Sequence, residues 1–107
     1  MSLTEQTFLV LTALASGDKH GYGIIREVET LSDGALTLRP GTLYAALDRL
    51  TGDGVIEPAG EDIVEGRFRR YYRLTAEGRE LLAAEAKRMS LRANQARRVL
   101  RIQAAGA

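Results

Sequence analysis

The run from Phe8 to Ala15 is the feature that most narrows what this chain can become. Phe8, Leu9, Val10, Leu11, Ala13, Leu14 and Ala15 cover nearly every side of a helix, and a helix that is apolar all round must be buried all round. A chain of 107 residues makes one domain with a modest core, and such a domain cannot easily surround a helix alone. Two arrangements satisfy the constraint. Either the helix is central, or one face meets its own core while the other meets a second subunit; the second arrangement is preferred. Ser2 and Glu5 have capping-box spacing and predict where this helix starts.

A turn-rich break, Ser16-Gly17-Asp18-Lys19-His20-Gly21, separates it from a second helix. There Ile24, Ile25, Val28 and Leu31 form one apolar stripe, and Ser32-Asp33-Gly34 supplies the exit. A third helix begins at Pro40, whose missing N–H suits a first helical position. Its Leu43, Leu47 and Leu50 make a core-facing ridge, while Gly41, Thr42, Tyr44, Ala45, Asp48 and Arg49 occupy the opposite side. Gly52-Asp53-Gly54 closes it.

Two extended segments follow, Val55 to Pro58 and Phe68 to Leu74, with the polar stretch from Gly60 to Gly66 as the expected hairpin tip. Alternation in the second segment puts Phe68, Arg70, Tyr72 and Leu74 on one face, and Arg69, Tyr71 and Arg73 on the other. Tyr72 shares its face with Leu74 and is expected to be the more buried of the two adjacent tyrosines. Thr75 is the expected N-cap of the last helix. Along that helix Leu82, Ala86, Met89, Ala93, Ala96, Leu100 and Gln103 recur in steps of four and three, a heptad seam. No further core remains in the sequence for the seam to meet, so a partner helix is the economical explanation. Folding back on the chain's own first helix is the alternative.

The order of three helices, a basic hairpin and a long helix predicts a mainly α fold with a small β-hairpin. In that fold a winged helix-turn-helix spans residues 1–75, and a C-terminal dimerisation helix with a short tail spans 76–107. Composition removes other classes. The absence of cysteine rules out disulfides and thiolate metal sites. No apolar run reaches membrane-spanning length and the N-terminus lacks the build of a signal peptide, so the cytoplasm is the expected location. His20 is the only histidine and has no companion ligand, so it is read as a turn residue. Gly21-Tyr22-Gly23 lacks the strand and third glycine of a dinucleotide site. No nucleophile–base pairing can be assembled, so neither an enzyme nor a cofactor is expected.

The blocks His20-Gly21-Tyr22-Gly23-Ile24, Pro40-Gly41-Thr42-Leu43-Tyr44 with Leu47 and Leu50, and Arg69-Arg70-Tyr71-Tyr72-Arg73-Leu74-Thr75 with Gly78 resemble the PadR family of transcriptional regulators. The resemblance covers nearly the whole chain, and its weight lies in three blocks in the right order and spacing. It implies a winged-helix DNA-binding domain, a dimer held by the first and last helices, and repression of nearby genes. It is similar to the short form with a single dimerisation helix. A small-molecule effector is implied too, although a chain without tryptophan offers no evident stacking pocket between last helices.

On this reading the helix from Pro40 enters the major groove, N-terminal residues nearest the bases. Arg39, Gly41, Thr42, Tyr44, Ala45 and Arg49 are its expected DNA contacts, with Ala45 able to touch a thymine methyl and Arg49 on the backbone. For Tyr44, partial packing against the wing is an equally good account. Arg67, Arg69, Arg70, Tyr71 and Arg73 are expected on phosphates or the minor groove, Arg67 nearest the tip. Alternation forbids all four arginines facing DNA, so one or two are expected in ion pairs with Glu57 or Glu65. Glu61 and Asp62 would repel DNA if they formed the tip. The expected dimer contacts are Phe8, Leu11, Leu82, Ala86, Met89, Ala93, Ala96 and Leu100. The expected partners are therefore double-stranded DNA, a second copy of the chain and an effector, with no membrane. A winged helix used only for protein assembly is the competing reading.

Overall fold

The computed structural model describes residues 3–106. Helix α1 (Glu5–Ala15) is capped by Thr4, whose hydroxyl accepts from the Thr7 N–H at 3.1 Å. Thr4, not Ser2, therefore starts the helix; Ser2 lies outside the described residues. A two-residue strand β1 (Lys19–His20) leads into α2 (Gly21–Leu31), and α3 (Pro40–Gly52) follows after a turn in which Asp33 and Gly34 both have positive φ. Strands β2 (Ile56–Val64) and β3 (Arg67–Leu74) form the wing, and α4 (Ala76–Gly106) completes the chain.

The sheet is antiparallel with order β1-β3-β2, so the long hairpin is joined to the helical body through β1. The hairpin is longer and tighter than the sequence suggested. Pairing continues to Val64 opposite Arg67, leaving only Glu65 and Gly66 at the tip, with φ of 52° and 75°. Positive φ at both central residues is the turn that matches the twist of a two-residue hairpin. The expected Gly60–Gly66 tip is corrected accordingly. Gly60 sits instead at a β-bulge, where Ala59 and Gly60 together oppose Tyr71 between the pairs Pro58–Tyr72 and Glu61–Arg70. Its φ of 114° is open to glycine and costly for other residues.

One core joins these elements. Leu11, Leu14, Ile24, Val28, Leu43, Leu47 and Ile56 are almost wholly buried, with Leu38, Leu50, Val55, Tyr72 and Leu74 closing around them. The leucine ridge of α3 faces this core as its spacing predicts. Leu11, expected at a subunit interface, is 0% exposed within the single chain and is withdrawn from that surface. Phe8 and Leu9 remain only partly covered, so α1 keeps one side incompletely buried.

Helix α4 has two unlike parts. Thr75 caps it, accepting from the Gly78 N–H at 3.0 Å and donating to the Gly54 carbonyl at 2.7 Å. Gly78 lies against the chain at Val55, and a Cβ there would run into the Val55 carbonyl oxygen. Leu81 and Leu82 pack on the core, and Glu85 is buried beside the N-terminal segment. Beyond Glu85 every described side chain is exposed except half-buried Ala93, and the helix projects from a molecule 63 Å long and 28 Å across.

Candidate nucleic-acid interface

The exposed side of α3 and the wing frame one surface. Pro40 opens α3 behind Arg39, and Gly41, Thr42, Tyr44, Ala45 and Arg49 are all exposed, because the leucine ridge has turned the other face inward. Gly41 has open space where a Cβ would stand, so a ligand backbone can approach the start of the helix closely. Unpaired N–H groups of the first turn point the same way.

Tyr44 is half-exposed, and its hydroxyl end rests over Gly21: a Cβ at Gly21 would fall 2.6 Å from the Tyr44 oxygen. Its packing partner is thus the start of α2. Arg49, one helix end away, brings its guanidinium to 3.5 Å from the Thr7 hydroxyl of α1. Tyr44 also lines a cleft of about 460 Å³ between α3 and the wing, together with His20, Tyr22, Arg67, Phe68, Arg69 and Arg70.

Cross-strand register decides which wing arginines are committed. Arg73 lies opposite Glu57 and pairs with it at 3.2 Å; Arg70 lies opposite Glu61 and pairs at 3.4 Å. The Tyr72 hydroxyl and Glu61 together hold the Arg70 guanidinium above its already high range. Glu65 forms no ion pair among the described residues; the other acid expected in that role, Glu57, does. Tyr71 donates its hydroxyl to Asp62 at 3.1 Å, and Tyr72 is buried at 6% exposure. Glu61 and Asp62 therefore sit mid-wing against Arg70, Arg69 and Tyr71, not at the tip. Arg39, Arg67 and Arg69 have no ion-pair partner among the described residues, and Arg67 adjoins the turn.

His20 has a structural task that the sequence reading only touched. Its Nδ1 accepts from the Gly23 N–H at 3.2 Å, capping α2, and its ring meets Tyr71 edge-on at 5.4 Å. Burial first, and then the nearby Arg69 charge, hold the imidazole below its usual range, which suits a neutral ring with a free Nδ1 lone pair. The histidine thereby fixes the first helix of the motif to the wing.

A second polar device escaped the sequence altogether. Glu85, 3% exposed, accepts from Arg88 at 2.9 and 3.0 Å and from the Leu3 N–H at 3.1 Å. The Arg88 hydrogen bonds and then the Leu3 N–H draw its carboxyl down to about 2, against the cost of burial. Nothing in a charged residue on an exposed-looking helix face signals this. Among the described residues there is no cluster of three or more candidate metal ligands and no helix long and apolar enough to cross a membrane.

The expected dimer residues divide sharply. Leu82 is half-buried on its own core, whereas Ala86, Met89, Ala96 and Leu100 are exposed and Ala93 is partly covered.

The family model for PadR-like transcriptional regulators matches residues 10–84. An uncharacterised 37.1 kDa protein of a Streptomyces fradiae transposon is 42% identical over 84% of the chain, which spans 24% of that relative. The chain thus corresponds to about a quarter of that protein's length. A transcriptional regulator of Mycobacterium tuberculosis is 37% identical over 71% of this chain and 67% of its own. Among solved structures, Bacillus subtilis PadR in complex with operator DNA superposes with a TM-score of 0.65 at 22% identity, covering 75% of this chain and 45% of that one. The wing, the α3 ridge and the long last helix lie inside or directly beside the matched segment. The chain belongs to the PadR-like family of transcriptional regulators.

Proposed function

We propose that this PadR-like regulator binds a specific DNA operator as a homodimer and represses the genes beside it. The observation that carries the proposal is the pairing of two surfaces: the exposed α3 face from Gly41 to Arg49, and a wing whose Arg67 and Arg69 are left without ion-pair partners among the described residues. The operator-bound Bacillus subtilis relative supports the same use of this fold. Residues 1–75 supply DNA recognition and 76–107 supply dimerisation in this reading. Thr42, Tyr44 and Ala45 read or adjoin bases, Gly41 admits the backbone, and Arg39, Arg67 and Arg69 hold phosphates. Arg70, Tyr71 and Arg73 contribute after exchanging their present partners, which makes them weaker contacts. Arg49 holds a phosphate near the end of α3. The protein works in the cytoplasm, and release by a small-molecule effector completes the cycle that the family resemblance implies.

The dimer forms along Ala86, Met89, Ala93, Ala96 and Leu100, with Phe8 and Leu82 at its edge. Two α3 helices related by a twofold axis predict an inverted repeat with half-sites about one helical turn apart. Titration onto DNA from upstream of the gene, across salt concentrations and against a scrambled competitor, tests this. Competitor-resistant binding with a log–log salt slope of about −6 supports it, since six to eight phosphate contacts give that slope. Equal loss to scrambled DNA argues against sequence-specific regulation.

One observation favours the rival reading as a protein-assembly module. Ile63 and Phe68 face each other across the strands near the wing tip and are 73% and 60% exposed. Absence of any salt-dependent DNA affinity would bring that reading forward.

A further inference from the structure

Charge is distributed very unevenly along the chain. Residues 86–107 contain six Lys or Arg and no Asp or Glu, whereas residues 1–85 contain nine against fourteen. A net of +6 is therefore carried on the outer part of α4, opposed to −5 on the rest of the chain, and a near-neutral total conceals it.

Helical geometry sorts these cations into faces, at 100° per residue. Arg88 lies on the side turned to Glu85 and pairs with it. Arg92 turns the same way and donates to Gln95 at 3.3 Å. Lys87, Arg97, Arg98 and Arg101 fall together with Arg79 in a sector of roughly 100°. That sector borders the Met89–Leu100 seam without including it. All five are exposed and have no ion-pair partner among the described residues; Arg97 donates to Asn94 at 2.8 Å within the same sector. Glu80 stands at its N-terminal edge as the one acid near it among the described residues. From Arg79 to Arg101 the stripe runs about 33 Å, close to one turn of B-DNA at about 34 Å.

We infer that this stripe is a second, sequence-independent binding surface for the phosphate backbone of nucleic acid, separate from the α3 and wing surface. The residues between the cations choose the partner. Ala83, Ser90 and Asn94 fill the sector, and no large apolar side chain lies in it. A protein interface needs an apolar, water-excluding centre. A polyanion needs only cations in line, with small or hydrogen-bonding residues that let its backbone come close. Among the exposed apolar residues of the outer helix, Met89 and Leu100 stand on the neighbouring seam, and Leu91, Ile102 and Val99 fall beyond the sector's other edge, so covering the seam leaves the cations outward. A dimer would thus hold operator DNA on its recognition helices and a second segment along its α4 helices.

The inference extends the proposed DNA-binding function but fails separately from it. Two variants are compared with the wild type on random-sequence and operator DNA across salt concentrations. One carries T42A, Y44A, R67A and R69A; the other carries R97Q, R98Q and R101Q, on side chains that touch no core. With the first, operator preference is expected to vanish while salt-dependent binding to random DNA persists. With the second, operator preference is expected to persist while the log–log salt slope for random DNA shrinks by about two units or more. An unchanged slope in the second variant, with random binding lost in the first, overturns the inference and leaves the operator reading intact. No operator preference in the wild type, with random binding still dependent on α4, overturns the operator reading alone. Dissociation of the second variant into monomers by sedimentation assigns the stripe to an acidic surface of the second copy, and also overturns it. R79Q with K87Q repeats the test at the other end of the stripe, and the same slope change is expected.

Discussion

The winged body and the outer part of α4 are built on opposite plans. In the body, polar groups find partners within the chain: Glu57 with Arg73, Glu61 with Arg70, Asp62 with Tyr71, His20 with the α2 amide. Its core leucines, Leu11, Leu14, Leu43 and Leu47, are covered. In the outer helix, Val99, Leu100 and Ile102 are more than half exposed, and apart from Arg88, which pairs with Glu85, the cations have no ion-pair partner among the described residues. Most helical stability in proteins comes from tertiary packing of an apolar face, and the outer helix has none of that within the single chain. The body is specified by what it contains; the outer helix is specified by what comes to it.

The largest contrast should appear at leucines. Leu47→Ala is expected to destabilise the fold by about 2–5 kcal/mol, read by denaturant unfolding. Leu100→Asp should leave the body's stability within about 0.5 kcal/mol, yet dissociate the dimer and abolish operator binding. Intact dimers in Leu100→Asp and in Met89→Asp would remove the seam from the interface.

The junction between the regions sharpens the comparison. Gly78→Ala places a methyl against the Val55 backbone, and overpacking of that kind costs about 1–3 kcal/mol. If unfolding is unchanged, the first turns of α4 are held less firmly to the body than described.

Glu85 offers a pH signature at the same junction. Its carboxyl is lowered from 4.5 to about 2, so its stabilisation is complete above about 4.5 and disappears as pH falls toward 2. Glu85→Gln should flatten that part of the acid-unfolding curve. An unaltered curve between pH 4.5 and 2 would mean the Leu3–Glu85–Arg88 clasp adds nothing.

The smallest effects are expected between wing arginines. Arg67→Ala should lessen the salt slope of operator binding by about two units per dimer, one for each subunit. Arg73→Ala, whose cation is already matched by Glu57, should change it by less, and should cost the fold under about 1 kcal/mol. Equal slopes for the two variants would show that cross-strand pairing does not decide which arginines meet phosphate.

Periodicity made the large elements legible. The Leu43, Leu47, Leu50 ridge, the alternation that buries Tyr72 and the heptad stripe of α4 all follow from repeats of fixed period. What escaped has no period. Strand β1 is two residues long and exists only because Tyr71 and Tyr72, some fifty residues on, offer an edge. The hairpin tip was misplaced because Glu65 adopts positive φ, an uncommon choice for glutamate, while Gly60 serves a bulge. Leu11 was assigned outward because an all-round apolar helix does not reveal which side its own core takes. Glu85 looks like any surface acid until the chain's start is laid beside it. At the candidate interface the exposure of the α3 residues was readable from the leucine ridge, but the division between paired and unpaired wing arginines depends on register, which one bulge residue resets.

That bulge separates two properties that usually change together. Because Pro58 and Glu61 flank it on matched partners, deleting Gly60 would keep each distal pair, from Glu61–Arg70 to Val64–Arg67, and straighten the strand between them. The wing's chemistry and its direction of reach are thus written at different positions. A lineage, or an engineer, can re-aim the tip toward a differently spaced target by one residue's insertion or loss, without rewriting the groups the tip presents.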